Sequence, residues 1–216
     1  MTKIAVKYAT SSAFKKEEMK FILENIFINV ENNEKMLVGN AFDISFVNVA
    51  TDEPLERDLV QMVRHKVKSA YRRLLVPCIV EHAGLIYEDF EKHSFPGGLT
   101  QPIWDALGAE AFLKSASWVR GRFLARAVVA YCDGRCIRTF VGDTWGSLSQ
   151  APRGGRGFYW DTVFCPDDGE GLTYAELADA SGDLARKVQI SQSTKAMLEF
   201  FKYVYRCRPT MFPDDG

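Results

Sequence analysis

Two short stretches hold residues whose types and spacing suit acid–base and phosphate chemistry. In Val80-Glu81-His82-Ala83-Gly84-Leu85 an apolar run leads into a carboxylate and an imidazole. Ligands of α/β proteins bind at the carboxyl ends of strands, and an imidazole there can serve as a general base near neutral pH. The plainer alternative is a partly buried histidine satisfied by a backbone carbonyl, and the residues alone leave the two level. In Thr10-Ser11-Ser12 followed by Lys15, hydroxyls, free backbone N–H groups and a lysine meet at the start of a helix. Those are the ingredients of a phosphate cradle, although a capped helix with a solvated lysine is the simpler description of this stretch taken alone. There is no P-loop, no Gly-x-Gly-x-x-Gly after the first strand, no His-Glu-x-x-His and no Gly-x-Ser-x-Gly. His65, His82 and His93 lack metal-ligand spacing. The Arg-Gly stretch at 152–157 occurs once and reads as a tight loop feeding a strand rather than an RNA contact.

These groups must be positioned by the surrounding elements. Residues 3–9 predict a strand, followed by a helix with Met19, Ile22, Leu23 and Ile26 at helical spacing and Glu17 and Glu18 in its first turn. A second strand is expected at 41–49. Asp52-Glu53-Pro54 precedes a helix whose apolar face is Val60, Val63, Val67, Ala70 and Leu74, and 75–80 reads as a short buried strand. This β-α-β-α-β order predicts an α/β sheet with packed helices. Further on, 93–100 is a loop and 102–107 a helix. Residues 123–131 and 136–141 predict a hairpin around Asp133-Gly134 with a type I′ turn, and the Arg-Gly loop leads into an extended 158–164. Met197, Leu198, Phe201, Val204 and Tyr205 line a last helix, with a flexible tail at 208–216. Without repeats or linkers, 1–216 reads as one domain.

The chain has 216 residues, 27 Lys and Arg against 28 Asp and Glu, and 47% hydrophobic residues. This is a soluble globular composition, long enough to bury on the order of 70% of its unfolded surface. Balanced charge disfavours a nucleic-acid polymer as partner while permitting a local basic cleft. The apolar runs fall well short of the roughly 20 residues a membrane helix needs, and Lys3 and Lys7 interrupt any signal-peptide core, so no membrane partner is expected. The five cysteines, Cys78, Cys132, Cys136, Cys165 and Cys207, form no Cys-x-x-Cys pair and read as reduced thiols of a cytoplasmic protein.

Taken in order, the Thr10–Lys15 turn, the helix with Lys66 and Ala70, residues 77–85 and Phe95-Pro96-Gly97 resemble the inosine triphosphate pyrophosphatase family. So do Ala151-Pro152-Arg153-Gly154, Phe158-Tyr159-Trp160-Asp161 and Thr173-Tyr174-Ala175-Glu176. Members are house-cleaning enzymes that hydrolyse non-canonical purine nucleoside triphosphates to monophosphate and pyrophosphate. The resemblance spans 3–201. It implies a mixed α/β fold with an elongated central mixed sheet flanked by helices, two lobes around a nucleotide cleft, a Mg²⁺ cofactor and a homodimer. By the same resemblance Thr10, Lys15, Lys66 and Lys187 face the phosphates, where cations offset the charge growing on the leaving group. Phe158 and Trp160 form the stacking wall, and Asp161 hydrogen-bonds the base.

Several positions depart from the family pattern. His82 stands where the family has a carboxylate tied to magnesium and the attacking water, and magnesium prefers hard oxygen ligands. Glu81 is adjacent, but neighbouring strand residues point to opposite faces. The family's other acid falls near 52–56, with Glu53 as the candidate metal ligand. Ser12 replaces an asparagine. Ser191-Gln192-Ser193 replaces Ser-His-Arg and loses a cationic fork, which implies a changed base preference. The expectation is a diverged nucleotide pyrophosphatase acting on a modified or non-standard triphosphate. His82, Glu81 and Lys15 are its catalytic candidates; Thr10, Ser12, Lys15, Lys66, Phe158, Trp160, Asp161, Lys187, Gln192 and Ser193 its binding candidates. Two alternatives stand beside it: a metal-independent N-glycosidase-type hydrolase using His82 or Glu81 as acid/base, and a nucleotide-binding protein without catalysis.

Overall fold

A computed structural model describes residues 2–29, 34–119, 121–179 and 184–211. Strand β1 (Ile4–Ala9) leads into helix α1 (Ala13–Asn25). The helix starts at Ala13 because Ser12 caps it, its hydroxyl accepting the Lys15 N–H at 3.3 Å, while Thr10 Oγ1 accepts the Ser12 N–H at 3.2 Å. Both hydroxyls therefore fix the helix start that aims Lys15. Glu17 and Glu18 consequently fall in the second turn, not the first.

A small hairpin that hydrophobic periodicity had not suggested follows, β2 (Phe27–Asn29) with β3 (Lys35–Leu37), then α2 (Val38–Ala41) and β4 (Phe42–Val47). Helix α3 (Leu59–Leu74) is capped by the Asp58 carboxylate, which accepts the Val60 N–H at 2.8 Å. The remaining elements are β5 (Cys78–Tyr87), α4 (Thr100–Ala116), β6 (Phe123–Cys132), β7 (Ile137–Leu148), β8 (Phe164–Pro166), α5 (Tyr174–Asp179), α6 (Ala185–Ile190) and α7 (Gln192–Met211). The main sheet runs β4-β1-β5-β6-β7-β8. Its first three strands are parallel and the rest antiparallel, a mixed α/β sheet.

Four expectations are corrected. Leu75 and Val76 are exposed, and Leu75 ends α3 in a left-handed conformation, so the strand starts only at Cys78. It then runs ten residues, because β6 pairs with its whole length from Cys78↔Cys132 to Tyr87↔Phe123. Glu81 and His82 therefore lie mid-strand, not at a strand end. The nearby end belongs to β1, which pairs with β5 only as far as Tyr8↔Ile79. The β6–β7 turn is a four-residue loop rather than type I′. Cys132 pairs with Ile137, and Asp133 Oδ1 accepts the N–H groups of Arg135 and Cys136 at 2.9 and 3.0 Å. The 158–164 stretch is mostly a 3-10 turn, Tyr159–Thr162, with the strand confined to Phe164–Pro166. Helix α7 continues to Met211, into the expected flexible tail, and 212–216 lie outside the described residues.

Alternation along the central strands builds two opposed cores. Ile79, Val129 and Tyr131 face Met19 and Ile22 of α1 and Phe200, Phe201 and Val204 of α7. Val80, Val128 and Ala130 face Leu59, Val63, Val67 and Ala70 of α3. A third cluster covers the far ends of β5 and β6, where Leu85, Tyr87, Phe123 and Ala125 meet Phe112, Trp160 and Tyr174. Ala83 touches both the first and third clusters. Glu81 and His82 thus sit where the helical cover changes, and that change leaves room for a cavity. None of the five cysteines is in a disulfide. No helix among the described residues is long and apolar enough to cross a membrane.

Candidate active site

Lys15, Glu81, His82, Phe158, Trp160, Asp161, Lys187, Gln192 and Ser193 line one cavity, joined by Glu18, Ala83, Gln101 and Tyr159. Glu81 projects to the α1/α7 face. Its Oε2 accepts the Tyr8 hydroxyl at 2.6 Å and its Oε1 the Ser193 hydroxyl at 2.7 Å. Lys15 Nζ donates to the Glu81 carbonyl at 3.1 Å and lies 3.8 Å from Oε2. Burial pushes this carboxyl up, but the Lys15 charge and the two hydroxyl donors outweigh it and hold it below its ordinary value.

His82 projects to the other face, toward the α3 side. Burial, followed by the charges of Lys15 and Lys66, drives its imidazole down to about 3, against the opposing pull of Glu53 and Glu81. Its Nε2 is buried and has no hydrogen-bond partner. Lys66 is paired with Glu53 at 2.6 Å, and the Thr51 hydroxyl donates to the same Glu53 oxygen at 3.3 Å.

This histidine predicts an acid-labile fold. With the folded value depressed from 6.5 to about 3, the unfolded chain takes up a proton that the folded chain refuses between those limits. Stability is therefore lost as pH falls through that window, by about 1.4 kcal/mol per pH unit at most. Thermal melts from pH 7 to pH 4.5 should fall steeply for the native protein and less steeply for His82→Asn. Parallel curves would show that His82 is not the linked group.

The opposite wall is aromatic and ionic. Phe158 stacks on Phe14 with centroids 4.8 Å apart and planes 27° apart, and Lys187 Nζ lies 5.4 Å from the Phe158 centroid. Trp160 is packed as core, edge-on to Phe164 at 5.6 Å, and backs the wall more than it faces the cavity. Lys187 bridges two acids, Asp161 at 2.5 Å and Glu18 at 2.6 Å, all three side chains buried. Burial, reinforced by Glu18, raises Asp161 to about 6 although Lys187 opposes it. Lys187 is depressed by burial and raised still more by the two carboxylates, so its net shift is upward. Gln192 Oε1 accepts the Tyr174 hydroxyl at 2.8 Å, which leaves its amide NH₂ to donate.

Lys187, grouped by the family resemblance with the phosphate lysines, is thus anchored on the aromatic side, and Ser193 is engaged with Glu81. The sequence passed over Tyr8, Phe14, Glu18 and Arg156. Glu18 alone carried a signal, being three residues after Lys15 on one helix face.

A magnesium ion is not matched by these donors. Both Glu81 oxygens already accept hydroxyl donors, Glu53 is bound to Lys66, and His82 offers nitrogen where magnesium favours oxygen. Among the described residues no three His, Cys, Asp or Glu side chains gather closely enough to hold a metal. The cavity itself holds about 50 Å³, against roughly 300–1,000 Å³ for ligand pockets. The cleft is closed, with Phe14 against Phe158 and Lys187 tied between its acids.

Residues 6–203 match the model of the Ham1 family. A dITP/XTP pyrophosphatase of Methanopyrus kandleri is 31% identical over 203 residues, covering 92% of this chain and 95% of its own. An inosine triphosphate pyrophosphatase of Saccharomyces cerevisiae is 30% identical over 213 residues, covering 95% and 98%. The Ham1 protein of Staphylococcus aureus shares the fold, with a TM-score of 0.66 at 16% identity over 93% of this chain and 97% of that one.

Proposed function

The chain belongs to the Ham1 family, and from that premise we propose that it hydrolyses a nucleoside triphosphate to monophosphate and pyrophosphate. The names of its relatives, dITP/XTP and inosine triphosphate pyrophosphatases, support the reaction class. The observation that carries the reading is a single cavity with two unlike walls. One bears Lys15 and Glu81, with His82 next to them on the strand; the other bears Phe158, Asp161, Lys187 and Gln192.

In this reading Lys15 and Lys66 offset the triphosphate charge and the charge that grows on the departing pyrophosphate. Thr10 and Ser12 serve by fixing the start of α1, which aims Lys15. Glu81, held by Tyr8 and Ser193, anchors Lys15 from below. His82 Nε2 accepts the proton of the attacking water as the α–β phosphoanhydride breaks. Lys15 and Lys66 help keep that imidazole's proton affinity low, and a bound polyphosphate offsets those same charges. Substrate entry therefore moves His82 up toward useful basicity.

Phe158, backed by Trp160, stacks the base, while Asp161 and the Gln192 amide meet its edge. With Gln192 and Ser193 at the base-reading positions, the preferred base is modified or non-standard and differs from hypoxanthine and xanthine. The two lobes are the core clusters that meet at Ala83, and the protein works as a homodimer, which light scattering after size exclusion tests directly.

The deciding assay incubates the protein with triphosphates of inosine, xanthosine, the canonical nucleosides and a set of methylated and halogenated bases, in magnesium chloride and separately in EDTA. Equimolar monophosphate and pyrophosphate from at least one is the expected result. Absence of pyrophosphate from every member at high protein concentration would sink the reading.

A further inference from the structure

The proposed reaction leaves Arg156 without a task; it lines a neighbouring surface pocket with Glu17 and Lys20 and meets the cleft through Phe14, which stacks on Phe158. It stands on the loop between β7 and β8, and that loop is tied down. Arg153 N–H donates to Thr162 O at 2.8 Å, the Thr173 hydroxyl donates to Arg153 O at 3.1 Å, and Gly155 N–H donates to Asp179 at 2.5 Å. Gly154, at φ 87°, lies where a Cβ would come within 2.6 Å of the Glu176 nitrogen, so the loop is seated tightly on α5.

From this mount the guanidinium crosses to α1. It lies 4.7 Å from the Phe14 centroid, 2.6 Å from Glu17 and 3.6 Å from Glu18. Phe14 in turn stacks on Phe158. The result is a layered series, Arg156 on Phe14 on Phe158.

Nε and Nη2 of Arg156 are buried and have no hydrogen-bond partner. Buried donors without acceptors are costly. These two atoms form one complete side of the guanidinium, the fork that takes two acceptors together. Arg126 uses the same pair to hold Asp143, at 2.7 Å each. In Arg156 the fork is buried and makes no hydrogen bond, Nη2 having only the 3.6 Å ion pair with Glu18. Phe14, meanwhile, covers a ring face that a stacking base would require, and guanidinium planes stack on bases as they do on aromatic side chains.

We propose, on the reading that the cleft takes a nucleotide, that Arg156 is a specificity-determining residue. An entering base replaces Phe14 between Phe158 and Arg156, and the open Nε/Nη2 fork donates to paired acceptors on that base. Neither acid prevents the turn: Glu17 is largely exposed and such ion pairs are weak, and Glu18, only 3.6 Å from Nη2, keeps Lys187 at 2.6 Å when the guanidinium leaves.

The test is calorimetric binding of non-hydrolysable α,β-methylene triphosphates of inosine, xanthosine, adenosine, cytidine, uridine and the methylated and halogenated nucleosides of the hydrolysis assay, compared with base-free tripolyphosphate. Arg156→Ala should weaken the tightest nucleoside analogue about tenfold or more and leave tripolyphosphate unchanged. Arg156→Lys, which keeps the charge and most of the stem, should remain weakened; it also serves if the alanine variant fails to fold. Phe14→Ala should bind the analogue at least as tightly as the native protein. Unchanged affinity in Arg156→Ala, equal losses for both ligands, full recovery in Arg156→Lys, or weaker binding by Phe14→Ala would each overturn the assignment. If the native protein binds none of the analogues, the nucleotide reading itself falls, a separate outcome.

Discussion

Lys187→Met is expected to be the most destabilising single substitution in the cleft. Lys187 Nζ lies between Asp161 and Glu18 at 2.5 and 2.6 Å, and all three side chains are buried. Removing one partner of a buried ion pair leaves uncompensated charge, at a cost of about 3–5 kcal/mol. For a chain of this size that corresponds to a Tm lower by about 6–20 °C. The pH dependence carries a sign. Asp161 is already raised to about 6 by burial and by Glu18 while Lys187 opposes them, so losing Lys187 raises it further. A carboxyl whose folded value exceeds its unfolded one contributes stability below the unfolded value and loses it as pH rises through the folded one. The Tm gap between native and variant should therefore be widest above pH 7 and shrink toward pH 5. Adding Asp161→Asn to Lys187→Met should recover part of the loss. A gap that is constant with pH, or no recovery in the double variant, would mean that buried charge is not what Lys187 neutralises.

That ionic centre also shows what the sequence could and could not disclose. Lys15 and Glu18 are three residues apart and share a face by helix geometry alone. The Lys187–Glu18 contact, by contrast, joins residues 169 positions apart. No local pattern reports it, and only the ordered family motifs brought Lys187 and Asp161 into view. The same limit explains β5. A carboxylate and an imidazole in mid-run look like the end of a buried strand, because periodicity cannot foresee a partner strand covering both. In fact β6 pairs with the whole run, and Tyr8 and Ser193 satisfy Glu81 across the gap left where β1 ends. The β-α-β-α-β order of the first half was legible because α3 carries its apolar residues at strict helical spacing and β1 is bounded by capping hydroxyls. Phe14 and Arg156 were not legible. One is an aromatic in a helix first turn, the other an arginine in a glycine-rich loop, and their meaning arises only from stacking on each other and on Phe158.

Lys15→Ala should separate catalysis from folding in the opposite sense to Lys187→Met. Its ammonium touches the Glu81 carbonyl and carboxylate, but Glu81 keeps the Tyr8 and Ser193 hydroxyls when Lys15 is gone. The fold should therefore survive with a Tm change of a few degrees at most. Turnover should fall about 10²–10³-fold, the usual consequence of removing one group that offsets charge in the transition state. The pH profile then tests His82. After burial, Lys15 is the largest influence holding that imidazole near 3, so its removal raises His82 and leaves Lys66 as the remaining opposing cation. A general base is disabled once protonated, which means that the acidic limb of kcat/KM reports its value in the free enzyme. That limb should move to higher pH in Lys15→Ala, and further still in Lys15→Ala combined with Lys66→Ala. An acidic limb that stays in place while turnover falls would leave Lys15 its charge role and remove His82 from proton transfer. A limb that moves to lower pH would contradict the electrostatic coupling between them.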